Sequence, residues 1–223
     1  MSYSRFAIYF IPPKGQLADF GADWLGWDVV KGREAAQPDI IGLRDITMTP
    51  MKYGFHGTLK PPFRLADGRT ADQLHTAVAA LAASHSPTTF ERIELTTLGG
   101  FLALTPHGDA SGLRCIADAC VQDLDTFRAP ATEAELTRRR AAGLSDQQDA
   151  LLTLWGYPYV IEEFRFHLTL SGRLPVADIA HWSAIVERHL PPLAAPFPID
   201  QIALCGERSD GRFELIQRCA LTG

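Results

Sequence analysis

One short pattern occurs twice in this chain: His-x-Thr-Leu, at His56-Gly57-Thr58-Leu59 and at His167-Leu168-Thr169-Leu170, each preceded by a phenylalanine, Phe55 and Phe166. An imidazole changes charge near neutral pH. A pair of them can therefore take a proton from an attacking water or hydroxyl and give one to a leaving oxygen. Threonine hydroxyls can donate to non-bridging oxygens as charge develops there. Two imidazoles and two hydroxyls facing one another would suit in-line displacement at phosphorus. A metal site would call for further Asp, Glu, His or Cys beside the histidines. The flanks offer Lys60, Arg64 and Arg165 instead, so no metal or other cofactor is expected, and a bound anion is favoured.

A lone His-x-Thr-Leu is most often a strand histidine satisfied by a backbone carbonyl. With seven histidines in the chain, two chance matches are expected on the order of once in a thousand such sequences. The repetition, not the motif, therefore carries the reading.

The elements that must position these residues follow from periodicity. In a strand, residues i and i+2 share a face, so each His lies with its Thr, while the Phe and Leu point the other way. "RFAIYFI", Arg5 to Ile11, alternates and ends at Pro12-Pro13, which predicts a strand. Gln16 to Val30 has helical spacing, and a Pro/Gly-punctuated loop separates it from "GFHGTL". Thr70 to Ala83 reads as an amphipathic helix. "FERIELTTLGGFLALTP" is a hairpin turning at Gly99-Gly100, and Gly112 to Phe127 is helical. Arg128 to Trp155 carries two capping boxes, Thr132 with Glu135 and Ser145 with Gln148, and so reads as an inserted helical hairpin.

"EFRFHLTLSGRL" then repeats the first motif strand, followed by a helix over Val176 to Leu190 and a hairpin turning at Ser209-Asp210-Gly211. A duplicated strand-helix-hairpin unit predicts an α+β fold in a single bilobal domain. Two antiparallel sheets face a central cleft, with helices outside. The expected boundaries are about 1–127 for lobe one, 128–155 for the insertion and 156–223 for lobe two.

Composition agrees with a globular protein, 46% hydrophobic and 21% charged. Without a long apolar run or a signal-like amino terminus, the expectation is a cytoplasmic protein with no membrane partner. The four cysteines form no C-x-x-C pair, which fits a reducing compartment. A net charge of -5 argues against long nucleic acid as partner, and a monomer acting on a small molecule is expected.

The two H-x-T-L motifs in a duplicated α+β chain resemble the 2H phosphoesterase superfamily. "RFAIYFIPP", "YGFHGTLKPPFRL", "DTFRAP", "ELTRRR", "WGYPYV" and "FRFHLTL" resemble its branch found in bacterial phosphonate-utilisation gene clusters. The resemblance implies a metal-independent cyclic phosphodiesterase, with His56 and His167 as acid and base and Thr58 and Thr169 as donors to phosphate. It implies a small cyclic phosphate as substrate, with a phosphoribosyl cyclic phosphate the compound to test. RNA-end cyclic phosphodiesterase or 2′-5′ ligase activity, and a non-catalytic phosphate-ester binding module, are the alternatives.

Further candidates for substrate contact are Arg165, which shares the face of His167, Lys60, which alternates to the face of His56 and Thr58, and Tyr9 and Arg5 on the first strand. Of Arg138-Arg139-Arg140, not all can face one way on a helix. "WGYPYV" reads as core packing or as a stacking surface.

Overall fold

The computed structural model describes residues 3–223. In chain order the elements are β1 (Phe6–Phe10), α1 (Gln16–Leu25), β2 (Trp27–Asp28), β3 (Arg33–Glu34), α2 (Leu43–Met51), β4 (Gly57–Phe63) and α3 (Ala71–Ala83). There follow β5 (Thr88–Phe90), β6 (Arg92–Leu98), β7 (Phe101–His107), α4 (Ser111–Gln122), α5 (Glu133–Arg140) and α6 (Asp146–Trp155). The last elements are β8 (Leu168–Thr169), α7 (Val176–His189), β9 (Phe197–Ile199), β10 (Gln201–Glu207) and β11 (Phe213–Ala220).

Local chemistry accounts for most of these boundaries. Gly26, at φ 77°, ends α1 in the left-handed conformation that costs glycine little. Capping boxes open α3 (Thr70 with Gln73), α5 (Thr132 with Glu135) and α6 (Ser145 with Gln148), each satisfying two otherwise unpaired amides. Helix α2 replaces the expected loop. Thr47 and Thr49 are poor helix formers and Pro50 lies in its last turn, so propensity hides it. The buried Thr47 hydroxyl donates to the Leu43 carbonyl inside that helix.

The α+β class stands, with the two expected sheets joined into one. Seven strands run in the order β11-β10-β1-β4-β8-β7-β6, every pair antiparallel. β1 sits inside this sheet, and all five of its residues are buried. Each hairpin docks on a strand of the other unit: β6–β7 follows β4 in sequence but pairs with β8, and β10–β11 follows β8 but pairs with β1, the neighbour of β4. The boundaries 1–127 and 156–223 therefore do not coincide with the two halves of the sheet.

One face of the sheet is covered by helices. Phe6, Ile8, Phe10, Leu59, Leu168 and Leu170 pack there with Leu74 and Val78 of α3, Leu113 and Ile116 of α4, and Ile185 and Val186 of α7. Each such side chain contributes about 1.5–3 kcal/mol when fully buried. The opposite face holds a smaller cluster around Ala7, Tyr9, Ile11, Ala203 and Phe213. It is this face that carries His56 and Thr58, because Tyr9 is the register partner of Thr58.

Candidate functional site

The two motifs meet where β4 pairs with β8, at Gly57 opposite Leu168. In an antiparallel register this sets Thr58 beside His167 and His56 beside Thr169, all four on the face away from the core. Gly57 is required at the crossing, since a Cβ there would collide with Cε2 of the buried Phe166. A pocket of about 300 Å³ opens on the His56–Thr169 side of the crossing, with His56, Thr169, Tyr53, Phe101, Thr49 and Arg173 on its walls.

Hydrogen bonds fix the tautomer of both histidines. Nδ1 of His56 lies 2.8 Å from the Gly54 carbonyl, and Nδ1 of His167 lies 2.7 Å from the Arg165 carbonyl. A carbonyl only accepts, so Nδ1 carries the proton in each, and Nε2 keeps a lone pair in the neutral ring. The Thr58 hydroxyl, 3.0 Å from Nε2 of His56, is therefore the donor of that bond. Burial holds His56 well below the ordinary imidazole range, at about 4. The neighbouring His167 pushes the same way, and the Gly54 bond only partly opposes them. Burial also lowers His167, against its bond to Arg165. The rings of Tyr9 and Phe101 back His56 and His167 respectively.

The further candidates divide. Lys60 does not reach the cleft: it is 2% exposed, its Nζ donates to the Val121 carbonyl at 2.8 Å, and Asp125 lies 3.7 Å away. The cause is a bulge. Lys60 pairs with Ile8 and Thr58 with Tyr9, so Leu59 is left over between them and the alternation changes phase. Arg5 lies on the cleft side but is committed to Glu207, with its Nε 2.6 Å from the carboxylate. Tyr9 is fully buried beneath His56 and presents no polar atom to the pocket. Arg165 is exposed and lines a neighbouring pocket with Thr96 and Thr105 rather than the one over His56.

Of the arginine run, Arg140 pairs with Asp149 at 2.6 Å, Arg138 is exposed, and Arg139 lies 4.6 Å over the ring of Tyr157. Tyr157 and Trp155 pack against Val121, Leu151 and Val160, the core-packing reading of that segment.

Arg173 escaped the sequence reading. It is exposed on the pocket wall and has no carboxylate partner among the described residues. Nothing in strand alternation could have found it, because β8 ends at Thr169 and the chain then turns. That turn is fastened by backbone bonds from Leu170 to Leu102, Gly172 to Ile46 and Leu174 to Gly100. Thus α2 and the β6–β7 turn together hold Arg173 at the pocket. Among the described residues, no three His, Cys, Asp or Glu side chains group as metal ligands, and no helix is long and apolar enough to cross a membrane.

Comparison with known proteins places this geometry in a context. The family model described as "Protein of unknown function (DUF1045)" matches residues 58–214. The protein named ribose 1,5-bisphosphate phosphokinase PhnN of Janthinobacterium sp. (strain Marseille) is 36% identical over 221 residues, covering 94% of this chain and 49% of that protein. The protein of the same name from Laribacter hongkongensis (strain HLHK9) is 34% identical over 214 residues, covering 93% and 49%. The chain thus spans about half the length of these curated relatives. Among solved structures, E. coli LigT complexed with 3′-AMP is 14% identical with a TM-score of 0.43, covering all of both chains. The Thermus thermophilus protein TT0787 is 13% identical with a TM-score of 0.45, covering 98% of each.

Proposed function

The chain belongs to the DUF1045 family of proteins of unknown function, and we propose that it is a cyclic phosphodiesterase whose two histidines open a small cyclic phosphate ester by general acid-base catalysis. The observation that carries this reading is the crossing of the motifs at Gly57 and Leu168, which gathers two imidazoles and two hydroxyls at one point. His56, the harder to protonate, serves as base: its Nε2 takes a proton from water as the water oxygen attacks phosphorus. His167, in its protonated form, gives its Nε2 proton to the ester oxygen as the P–O bond breaks. The cycle closes when the proton returns from His56 to His167 through solvent. Thr58 turns from Nε2 of His56 toward a non-bridging oxygen, Thr169 supplies a second donor, and both bonds strengthen as charge grows there.

A phosphoribosyl cyclic phosphate is the substrate that the relatives favour. Their name specifies a kinase acting on ribose 1,5-bisphosphate. This chain contains no Gly-Lys pair, hence no Walker A phosphate loop, so kinase chemistry is assigned to the half of those proteins that it does not match. Hydrolysis of a 5-phosphoribosyl 1,2-cyclic phosphate at the bond to O2 leaves phosphate on O1, which is ribose 1,5-bisphosphate. Two joined halves would then act in succession. Arg173 is placed to meet the second phosphate.

The test is turnover of a panel of cyclic phosphates followed by phosphorus NMR. His56→Ala and His167→Ala should each lower kcat by at least about a hundredfold with little change in binding. Tight binding without turnover by the native protein would favour a phosphate-ester binding module instead.

A further inference from the structure

A second cavity, of about 270 Å³, lies between α1, the end of β1, the β2–β3 turn and β11. Its size suits a small ligand, and Ile11, Trp27, Val29 and Phe55 give it apolar walls. The charged groups lining it are Lys14, Lys31 and Arg218 against Asp19 and Asp28, one cation in excess. Asp28 is satisfied within its own turn, accepting from the amides of Val30 and Lys31 and pairing with the Lys31 ammonium at 2.8 Å. Lys14 and Asp19 are exposed.

Arg218 is the cation left over. It is half-buried, and its guanidinium donates to the carbonyls of Ile11 at 2.7 Å and Pro12 at 3.1 Å. No carboxylate pairs with it among the described residues, and two of its five N–H groups are used. Burial draws its pKa below the ordinary value, and the more distant Asp200 carboxylate, which makes no ion pair with it, opposes that shift only in part.

We propose that this cavity is a second ligand site, separate from the two-histidine cleft, for a small organic anion. An apolar body would lie between Trp27, Ile11 and Phe55, and a carboxylate or phosphate monoester would rest on Arg218. The segment Gly54–His56 touches both sites, with Phe55 lining this cavity and Gly54 and His56 lining the cleft. A Cβ on Gly54 would come within 2.5 Å of Cβ of Val29, and the Gly54 carbonyl holds Nδ1 of His56. An occupant therefore bears on the segment that orients His56.

Calorimetric titration of the full chain with indole-3-acetate and, separately, phenyl phosphate tests the site with each kind of anion. At least one probe should saturate at one per chain with a dissociation constant of about 1 mM or tighter. Binding should be unchanged in His56→Ala. It should weaken more than about tenfold in Arg218→Met and in Ala22→Phe, whose ring fills the cavity from α1 without touching the Arg218 bonds. Ala18→Phe fills it from the preceding turn should Ala22→Phe fail to fold. The proposal is overturned if neither probe saturates, if binding survives a folded cavity-filling variant, or if His56→Ala abolishes it, which would place the probe in the cleft.

Discussion

The rings of Tyr9 and His56 lie 3.7 Å apart between centroids and 27° from parallel. Tyr9 is fully buried, and among the described residues no protein group meets its hydroxyl. The phenol therefore acts as a flat support that limits rotation of the imidazole, and its oxygen adds nothing to the fold. Tyr9→Phe should leave turnover within about twofold and keep or raise stability by up to about 1 kcal/mol, since an unpaired buried hydroxyl is removed. Tyr9→Ala should cost about 3–5 kcal/mol and most of the activity. Urea unfolding and initial rates measure both. A large rate loss in Tyr9→Phe would mean that the hydroxyl touches substrate.

The pH dependence follows from the two imidazoles. With both pKa values below the ordinary 6.5, His56 at about 4, both rings are neutral in the free enzyme at neutral pH. A base must be deprotonated, so kcat/KM should rise through pH of about 4. An acid must be protonated, so it should fall as His167 loses its proton below 6.5. The bell should therefore peak on the acid side of pH 6.5. A profile still rising at pH 8 would contradict the assignment of an imidazole acid.

Lys60 should matter to stability and not to turnover. Burial lowers its pKa from 10.5 to about 8, against the attraction of Asp125. Between those values the unfolded chain holds more protons than the folded one, so stability rises with pH. From pH 8 to 10.5 the native protein should gain up to about 3 kcal/mol from this group, and Lys60→Met should lack that gain. Chemical denaturation of both proteins at pH 7.5 and 9.5 makes the comparison. A change in KM for a cyclic phosphate in Lys60→Met would instead restore Lys60 to the cleft.

Glu207 contributes stability that acid removes. Although burial opposes it, bonds from Arg5 and Ser4 hold this carboxylate at about 2. Its stabilisation is thus present above the ordinary carboxylate value and lost as pH falls toward 2. The native protein should be more stable than Glu207→Gln at pH 6, and the difference should vanish by about pH 2. Equal unfolding midpoints at pH 6 would show that the Arg5 pair is replaceable by solvent.

What could be read in the sequence was whatever obeys a fixed period. The pairs His56 with Thr58 and His167 with Thr169 follow from strand alternation and residue type. The helix starts at Thr70, Thr132 and Ser145 follow from capping chemistry. Lys60 was misplaced because a single unpaired residue, Leu59, shifts the phase, and a bulge has no signature in the alternation itself. Arg173 reaches the pocket through three backbone bonds to distant segments, a tertiary arrangement that local pattern does not encode. The exchange of hairpins likewise depends on which strand edges meet, since each hairpin has the same pattern wherever it docks.

Gly57 offers the sharpest test of the crossing, because it can be disturbed without altering any of the four polar side chains. The added methyl of Gly57→Ala would overlap the Phe166 ring. That ring is itself held with its centroid 6.0 Å from Phe10 and 5.9 Å from Phe90. The ring cannot retreat, so β4 must shift away from β8 and the two His-Thr pairs separate. Turnover should fall at least about tenfold, while Leu168→Ala, which leaves the register in place, should chiefly cost about 2–5 kcal/mol of stability. Phe166→Leu vacates the space that the methyl needs, so the double variant should regain activity relative to Gly57→Ala, a coupling that a double-mutant cycle measures directly. Independent, additive effects of the two substitutions would mean that the contact between Gly57 and Phe166 does not set the distance between the histidines.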